Sequence, residues 1–205
     1  PPTELRILKK DTKVWDAQYL NDPSGAKGGF DPAWRRFFNW VTKFSIAIFT
    51  GSSREIIDIR DCDIVILIDP GESKSGGFVV TAMDHKRRVY ILSAIRLELT
   101  PPELTQLVFL QALKWRPRTV GIESDFFMSV FKPYWEAEMR LKQQFFHITE
   151  CKTKKQEKNE RIDGLSNYFS NGQIYMNETQ VELLEEYRVF RKSKNIHILD
   201  AMAYG

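Results

Sequence analysis

The sequence predicts a mixed α/β domain in which a three-strand antiparallel meander continues into helix-linked parallel strands. A wholly apolar run, Ile64 to Ile68, has the length and polar boundaries of a strand buried on both faces. Two further strand-like runs, Phe78 to Ala82 and Val89 to Ile95, follow after short turn sequences. The capping-box sequence Thr100-Pro101-Pro102-Glu103 then begins a helix, which indicates that the next strand returns parallel to the first.

Residues 1–60 differ in pattern from the rest and are predicted to form an N-terminal extension packed on a domain that spans 61–205. Asn21 to Gly29 is rich in turn residues and is predicted to be a loop. Asp31-Pro32 has the form of a helix start, with Asp31 as the N-cap. Aromatic residues follow at roughly helical spacing, and we interpret them as packing rather than base-stacking residues: Trp34, Phe37, Phe38, Trp40 and Phe44.

The second half alternates strands and helices. Thr119 to Ile122 is predicted to be a strand, Phe126 to Lys142 a helix and Phe145 to Thr149 a fifth strand. The remainder is predicted to be helical, apart from a short extended piece at Gln173 to Met176. A meander followed by helix-linked parallel strands is the arrangement of an RNase H-like domain with a mixed central sheet flanked by helices. Other α/β folds share stretches of this order.

Composition places few limits on function. Hydrophobic residues make up 42% and charged residues 28% of the 205, as in ordinary globular proteins, and a net charge of +3 does not by itself indicate a nucleic-acid partner. No run approaches the ~18 apolar residues of a membrane span. Cys62 and Cys151 lack zinc-site spacing, so we expect reduced, structural thiols in a cytosolic compartment. The start at Pro1-Pro2 and the end at Gly205 suggest a piece of a longer protein.

Acidic residues stand where two predicted strands end. Asp69 follows the most hydrophobic strand, and Glu123 ends the strand that should lie beside it, so both carboxylates should meet at one edge of the sheet. His197 and Asp200 are three residues apart in a predicted helix and should share one face. Such a cluster suits phosphodiester hydrolysis, because two divalent ions about 3.5–4 Å apart can activate water and stabilise the phosphate and leaving group. Magnesium and manganese prefer carboxylate oxygens.

Each of these residues also has a structural interpretation. Asp69 precedes Pro-Gly and could be a turn residue, and Glu123 could mark a helix entry with Asp125 as the cap. A single histidine such as His197 is often a core or surface residue. Asp200 lies in an otherwise apolar stretch, where a carboxylate needs a partner or a metal.

Two basic segments are candidates for gripping DNA phosphates. The stretch from Lys152 to Arg161 holds five basic and two acidic residues, and the alternative for it is a solvated helix start. The second segment is a predicted hairpin turn, for which a soluble turn is the alternative. The candidate DNA-binding residues are Lys154, Lys155, Lys158, Arg161, Lys86, Arg87 and Arg88.

Taken together, these motifs resemble the nuclease domain of bacteriophage large terminases. The resemblance covers most of the chain, firmly from Asp63 and loosely before it. Ile66 to Glu72 resembles the first nuclease motif and Val120 to Ser124 the second, in which an acid ends a strand. The remaining matches are the Lys158 to Ile162 stretch followed by Gly172 to Ile174, the third motif at His197 to Gly205, and a segment at Trp15 to Pro23 that resembles the connection to the packaging ATPase.

The resemblance implies a two-metal endonuclease that uses magnesium or manganese to cut concatemeric double-stranded viral DNA during packaging. Asp69 and Glu123 match the first two metal-binding acids. Many members carry an Asp-Asp pair in the third motif, where this chain has Ile196-His197, and the later Asp200 remains. His197, Asp200 or both would therefore bind metal, and a histidine ligand would favour manganese or another softer ion.

The implied partners are double-stranded DNA, the terminase ATPase, the small terminase subunit and the portal, in the host cytoplasm. The chain lacks the Gly-x-x-x-x-Gly-Lys-Ser/Thr sequence of a P-loop, so we expect it not to hydrolyse ATP. One rival interpretation is a resolvase- or transposase-type nuclease on the same fold. Another is a catalytically silent DNA-binding or packaging-scaffold module, which would bind DNA with strong salt dependence but would not cut it.

Overall fold

The computed structural model describes residues 29–71, 75–123, 131–151 and 157–205. Its first part is a small antiparallel sheet, in the order β1 (Phe38–Thr42), β2 (Ser45–Thr50) and β3 (Ser53–Asp58). The predicted helix after Asp31 is wrong, because only a 3-10 turn forms at Pro32–Trp34, capped by Asp31 as expected. The aromatic and β-branched residues beyond it pair across strands instead, which overrides their helical spacing.

A six-stranded mixed sheet forms the centre of the molecule. Its strands are β4 (Asp63–Asp69), β5 (Gly76–Met83), β6 (Val89–Leu97), β7 (Thr119–Glu123), β8 (His147–Cys151) and β9 (Ile174–Tyr175). The spatial order is β8-β7-β4-β5-β6-β9. The β4-β5-β6 meander is antiparallel, whereas β7 lies parallel to β4, β8 parallel to β7 and β9 parallel to β6. This is the mixed sheet that the sequence predicted.

Helices flank the central sheet. They are α1 (Pro101–Trp115), α2 (Lys132–Lys142), α3 (Lys158–Asp163), α4 (Leu165–Ser170), α5 (Val181–Val189) and α6 (His197–Met202). The capping box at the start of α1 is confirmed, since the Thr100 backbone amide donates to Glu103 Oε2 at 2.8 Å. The predicted helix start at Phe126 lies outside the described residues. No helix in the described ranges is both long and apolar enough to cross a membrane.

Apolar side chains pack against both faces of the central sheet. On β5 the alternation is direct: Phe78 and Val80 belong to one cluster, and Val79 belongs to the other. The first cluster also contains Phe38 from the small sheet, so that sheet shares the core of the domain. The second cluster contains Ile198 and Leu199 of α6, along with residues from α3 to α5. The helix that carries the third acidic motif is therefore anchored by burial.

Candidate active site

Two acids end neighbouring parallel strands at one edge of the sheet. The β4–β7 register pairs Ile68 with Ile122, which places Asp69 and Glu123 side by side at the next position. Neighbouring strands are about 4.8 Å apart, so the two residues start from adjacent backbone positions. Asp69 is only 4% exposed, and its Oδ1 accepts a hydrogen bond from the Gly71 amide at 3.0 Å. The predicted placement of these two residues at neighbouring strand ends is confirmed.

A glycine lets α6 approach this edge. Gly77 of β5 lies opposite Asp69 in the strand register. A Cβ atom at Gly77 would stand 2.1 Å from the His197 carbonyl oxygen, so any larger residue would push the start of α6 away. With glycine present, His197 Nδ1 lies 3.2 Å from Asp69 Oδ2. The close packing of helix on strand thus brings the first and third motifs into contact.

Asp200 is buried and surrounded by cations from α3. It is 3% exposed, and its Oδ1 accepts hydrogen bonds from Arg161 Nη2 at 2.5 Å and Nε at 3.0 Å. Lys158 Nζ lies 3.2 Å from Asp200 Oδ2 and 3.7 Å from Asp69 Oδ2. The same ammonium is 3.5 Å from His197 Nδ1. Because Lys158 and Arg161 are three residues apart, one face of α3 delivers both cations.

The side chains of Asp69, Asp200 and His197 are of the types that bind a divalent ion, although they are not arranged as a complete coordination sphere. Within the described ranges, no three His, Cys, Asp or Glu side chains are grouped as a ready-made metal site. The Lys158 ammonium instead lies close to both Asp69 and Asp200. It supplies the positive charge that a metal ion would otherwise provide there. Carboxylates that converge in this way need a positive charge between them. Carboxylates are ligands that magnesium and manganese prefer, whereas the His197 imidazole would favour manganese or another softer ion.

Tyr204 also belongs to this site, although the sequence analysis assigned it no role. Its ring packs against Arg161, with the guanidinium carbon 5.0 Å from the ring centroid. The phenol oxygen is buried and has no hydrogen-bond partner among the described residues. Burial, followed by the nearby negative charge of Asp200, raises the pKa of Tyr204. Only the folded structure reveals this placement, because nothing in the local sequence separates Tyr204 from an ordinary core aromatic.

The basic hairpin turn lies at the opposite end of the sheet. Strand β5 runs from Gly76 beside Asp69 to Met83, a distance of about 20 Å at the usual rise per residue. Lys86 forms an ion pair with Glu55 at 2.7 Å. Arg88 forms ion pairs with Glu55 and Asp84, both at 2.7 Å. The turn is thus not brought to the acidic cluster, and the DNA-binding role of Lys86, Arg87 and Arg88 stays a prediction.

Other predicted residues lie apart from the cluster or outside the described ranges. Lys154, Lys155 and Asp125 are among residues that the structure does not describe.

The two cysteines, Cys62 and Cys151, are free thiols. Burial raises the pKa of Cys62 to about 11 and also raises the pKa of Cys151, so both stay protonated at neutral pH. This is consistent with the structural role expected for them.

Comparison with known proteins identifies the fold. No protein-family profile matches the sequence. No curated protein is detectably similar to it. The large terminase nuclease of thermophilic phage G20c matches with a TM-score of 0.55 at 13% identity, over 83% of this chain and 90% of that one. The same nuclease with bound zinc matches with a TM-score of 0.52 at 14% identity, with the same coverage of both chains.

Two further solved structures agree with this match. The Thermus phage P74-26 large terminase nuclease domain has a TM-score of 0.54 at 12% identity, over 84% of this chain and 90% of that one. The large terminase of another thermophilic bacteriophage has a TM-score of 0.52 at 15% identity over 69% of this chain, and the match spans only 39% of that longer protein. Since sequence identity is this low, the likeness establishes the fold alone. The chain has the RNase H-like fold of large terminase nuclease domains.

Proposed function

We propose that this chain is a divalent-metal-dependent endonuclease that hydrolyses phosphodiester bonds in double-stranded DNA. One observation carries the proposal: Asp69 and Asp200, which are distant in sequence, are both buried and share the Lys158 ammonium as a counter-ion. Burying two like charges together costs free energy that a counter-ion only partly offsets, and metal-assisted hydrolysis is a function that uses such a pair. The zinc-bound structure of the G20c nuclease, which has the same fold, supports a divalent ion.

The residues that would hold metal are Asp69, Glu123 and Asp200, with His197 as a further ligand. When bound, magnesium or manganese ions would supply an activated water and charge stabilisation at the phosphate. Asp69 is already oriented by the Gly71 amide, and its second oxygen faces the imidazole of His197. The carboxylates are mounted on strand ends and on a buried helix, so they are held in place before substrate arrives.

Lys158 and Arg161 would serve the substrate. Their positive charges neutralise Asp200 and Asp69, which offsets the repulsion between the two carboxylates. The Lys158 side chain is one third exposed and can turn outward, whereas Arg161 is largely buried against the Tyr204 ring. We infer that Lys158 moves to a DNA phosphate when metal takes over the carboxylates, while Arg161 stays to orient Asp200. On the sequence alone, Lys154 and Lys155 are further candidates for binding DNA phosphates.

The biological setting that we propose is genome packaging by a tailed bacteriophage in the host cytoplasm. The sequence motifs resemble those of large terminases, and the chain matches 39% of the length of one full large terminase from a thermophilic bacteriophage. We infer that an ATPase, a small terminase subunit and a portal work with this nuclease on concatemeric DNA. A domain used in such a machine needs little sequence specificity of its own, because its partners would present the substrate.

Plasmid cleavage tests the proposal. Wild-type protein is incubated with supercoiled DNA and manganese, magnesium or EDTA, beside Asp69→Asn and Asp63→Asn. Asp63 is the matched control, since it lies at the other end of the same strand with its side chain 57% exposed. We expect metal-dependent nicking that is lost in Asp69→Asn and kept in Asp63→Asn.

The same assay separates the rival functions. Cleavage confined to four-way junctions would favour a resolvase-type nuclease. Salt-dependent DNA binding without cleavage in any metal would overturn the proposal in favour of a silent packaging module. Cleavage that persists in Asp69→Asn would show that the nuclease activity resides elsewhere.

A further inference from the structure

The first turn of α6 is capped from another helix. This helix carries His197 and Asp200, yet its N-cap residue, Ile196, supplies no side-chain hydrogen bond. Helix starts leave backbone N–H groups without partners, and burying them unpaired is costly. Here the Ile198 and Leu199 amides donate to Glu186 Oε2 at 2.9 and 3.0 Å. The carboxylate from α5 therefore takes the role that a local N-cap side chain would usually have.

Glu186 is itself an unusual residue. It is completely buried, and burial raises the pKa of its carboxyl group. Its second oxygen accepts a hydrogen bond from Arg96 Nε at 3.0 Å, and Arg96 in turn reaches the exposed Glu185 at 3.3 Å. Burying a carboxylate is costly unless it is paired and hydrogen-bonded, and Glu186 meets both conditions. The hydrogen bonds of Glu186 connect Arg96, near the end of β6, to the start of α6.

Glu186 and Arg96 together form a clamp at the start of α6. Arg96, the member of this clamp that lies in the sheet, is in the same row across the strands as Asp69 of the acidic cluster. In register, Asp69 of β4 faces Gly77 of β5, and Gly77 faces Arg96 of β6. The start of α6 rests on Gly77, at the middle of this row. On one side His197 meets Asp69, and on the other Glu186 joins the helix to Arg96. If the start of α6 moves relative to Arg96, the distance between His197 and Asp69 should therefore change as well.

We propose that Glu186, held by Arg96, is a positioning residue that sets the place of α6 so that His197 and Asp200 face Asp69. Among the described residues, Glu186 forms no hydrogen bond to the side chain of a proposed metal ligand. It acts through the backbone of Ile198 and Leu199. This role deepens the proposed nuclease function and rests on that function only where cleavage is the readout.

The test compares Glu186→Gln with Glu185→Gln. Both residues form ion pairs with Arg96, but of the two only Glu186 hydrogen-bonds the start of α6 within the described residues, so Glu185 is the matched control. The main readout is the imidazole spectrum of His197 by NMR in the metal-free protein. The chain has only three histidines, so His85 and His147, on other elements, serve as internal references. The second readout is plasmid cleavage at varied manganese and DNA concentrations.

We expect the His197 ring signals to move in Glu186→Gln alone, while the reference histidines keep their positions. Cleavage should fall about 10- to 100-fold, the usual effect of groups that orient metal ligands. We expect kcat to fall and the manganese concentration needed for cleavage to rise, while KM for DNA changes little. Unchanged His197 signals in folded Glu186→Gln would overturn the proposal.

Two further arms keep the test decisive. If Glu186→Gln does not fold, Arg96→Lys loosens the same clamp while preserving its charge, and the same movement of the His197 signals is expected. Unmoved signals in a folded Arg96→Lys protein would then count against the role. If wild-type protein cuts no DNA, the nuclease proposal fails, whereas the NMR comparison still decides whether Glu186 positions α6.

Discussion

The imidazole Nδ1 of His197 lies 3.2 Å from Asp69 Oδ2, although 128 residues separate the two in the chain. The contact joins the end of the central strand to a short buried helix. It exists because Gly77 leaves room for the helix backbone and because Glu186 holds the helix start. The stability and chemistry of the cluster can therefore be tested at residues outside it as well as within it.

Gly77→Ala should disturb the cluster without touching an acid. The added Cβ would meet the His197 carbonyl at 2.1 Å, so α6 must move. We expect a loss of about 1–3 kcal/mol in the free energy of unfolding, the usual cost of overpacking, together with displaced His197 NMR signals. Urea unfolding measures the first effect. Gly51→Asn is the control, because a Cβ there meets nothing within 4 Å and asparagine tolerates the φ of +59°.

Lys158→Met should have opposite effects on the affinities for metal and for DNA. Removing the ammonium frees Asp69 and Asp200 from a competing cation, so manganese should bind several-fold more tightly by calorimetry on DNA-free protein. DNA binding should weaken, and the slope of log affinity against log salt should fall by about 1. Lys142→Met, on the exposed end of α2, should change neither quantity. Unchanged or weaker manganese binding would contradict competition by Lys158.

Arg88→Met should lower stability, because Arg88 forms ion pairs within the fold. Arg88 is the ion-pair partner of the buried Asp84, and it also pairs with Glu55. Leaving a buried carboxylate without its charged donor should cost about 2 kcal/mol. Thermal or urea unfolding measures this loss. Its exposed neighbour Arg87 should tolerate Arg87→Met within about 0.5 kcal/mol. A large loss of DNA affinity in either variant would instead support a DNA-binding role for the hairpin turn.

The Glu55 ion pairs predict how stability changes with pH. Hydrogen bonds from Arg88, and then from Lys86, lower the pKa of Glu55 from 4.5 to about 2. A carboxyl group with a lowered pKa stabilises the folded state above its unfolded pKa, and this stabilisation is lost as pH falls toward the folded pKa. Its contribution should therefore decline between pH 4.5 and about 2.

Urea unfolding of wild type and Glu55→Gln at about pH 5 and about pH 3 tests this prediction. The difference in stability between the two proteins should shrink at the lower pH, because the Glu55 carboxyl group of the unfolded wild-type chain then binds a proton while that of the folded protein stays largely ionised. Glu178→Gln, at an exposed position just before α5, is the control. An equal difference at both pH values would show that the Glu55 charge does not stabilise the fold.

Local patterns were sufficient for most of the central sheet and its first helix. The apolar run of β4 and the capping box of α1 depend on neighbouring residues, so both were predictable. The small sheet was missed because Phe38 of β1 pairs with Ile48 of β2, and helical spacing in the sequence does not reveal a pairing between strands. Tyr204 and Glu186 were missed for a related reason. Their significance comes from burial beside residues far away in the chain.

By itself, the sequence determined the order of strands and helices from β4 onward and the placement of Asp69 and Glu123 at strand ends, because these strand and helix patterns are local. It also placed His197 and Asp200 on one short helix. Only the tertiary structure decided that Lys158 lies between Asp69 and Asp200, and that Gly77 admits α6 to the sheet edge. These contacts depend on packing between segments that are remote in sequence, where distances of a few ångströms decide which charges meet.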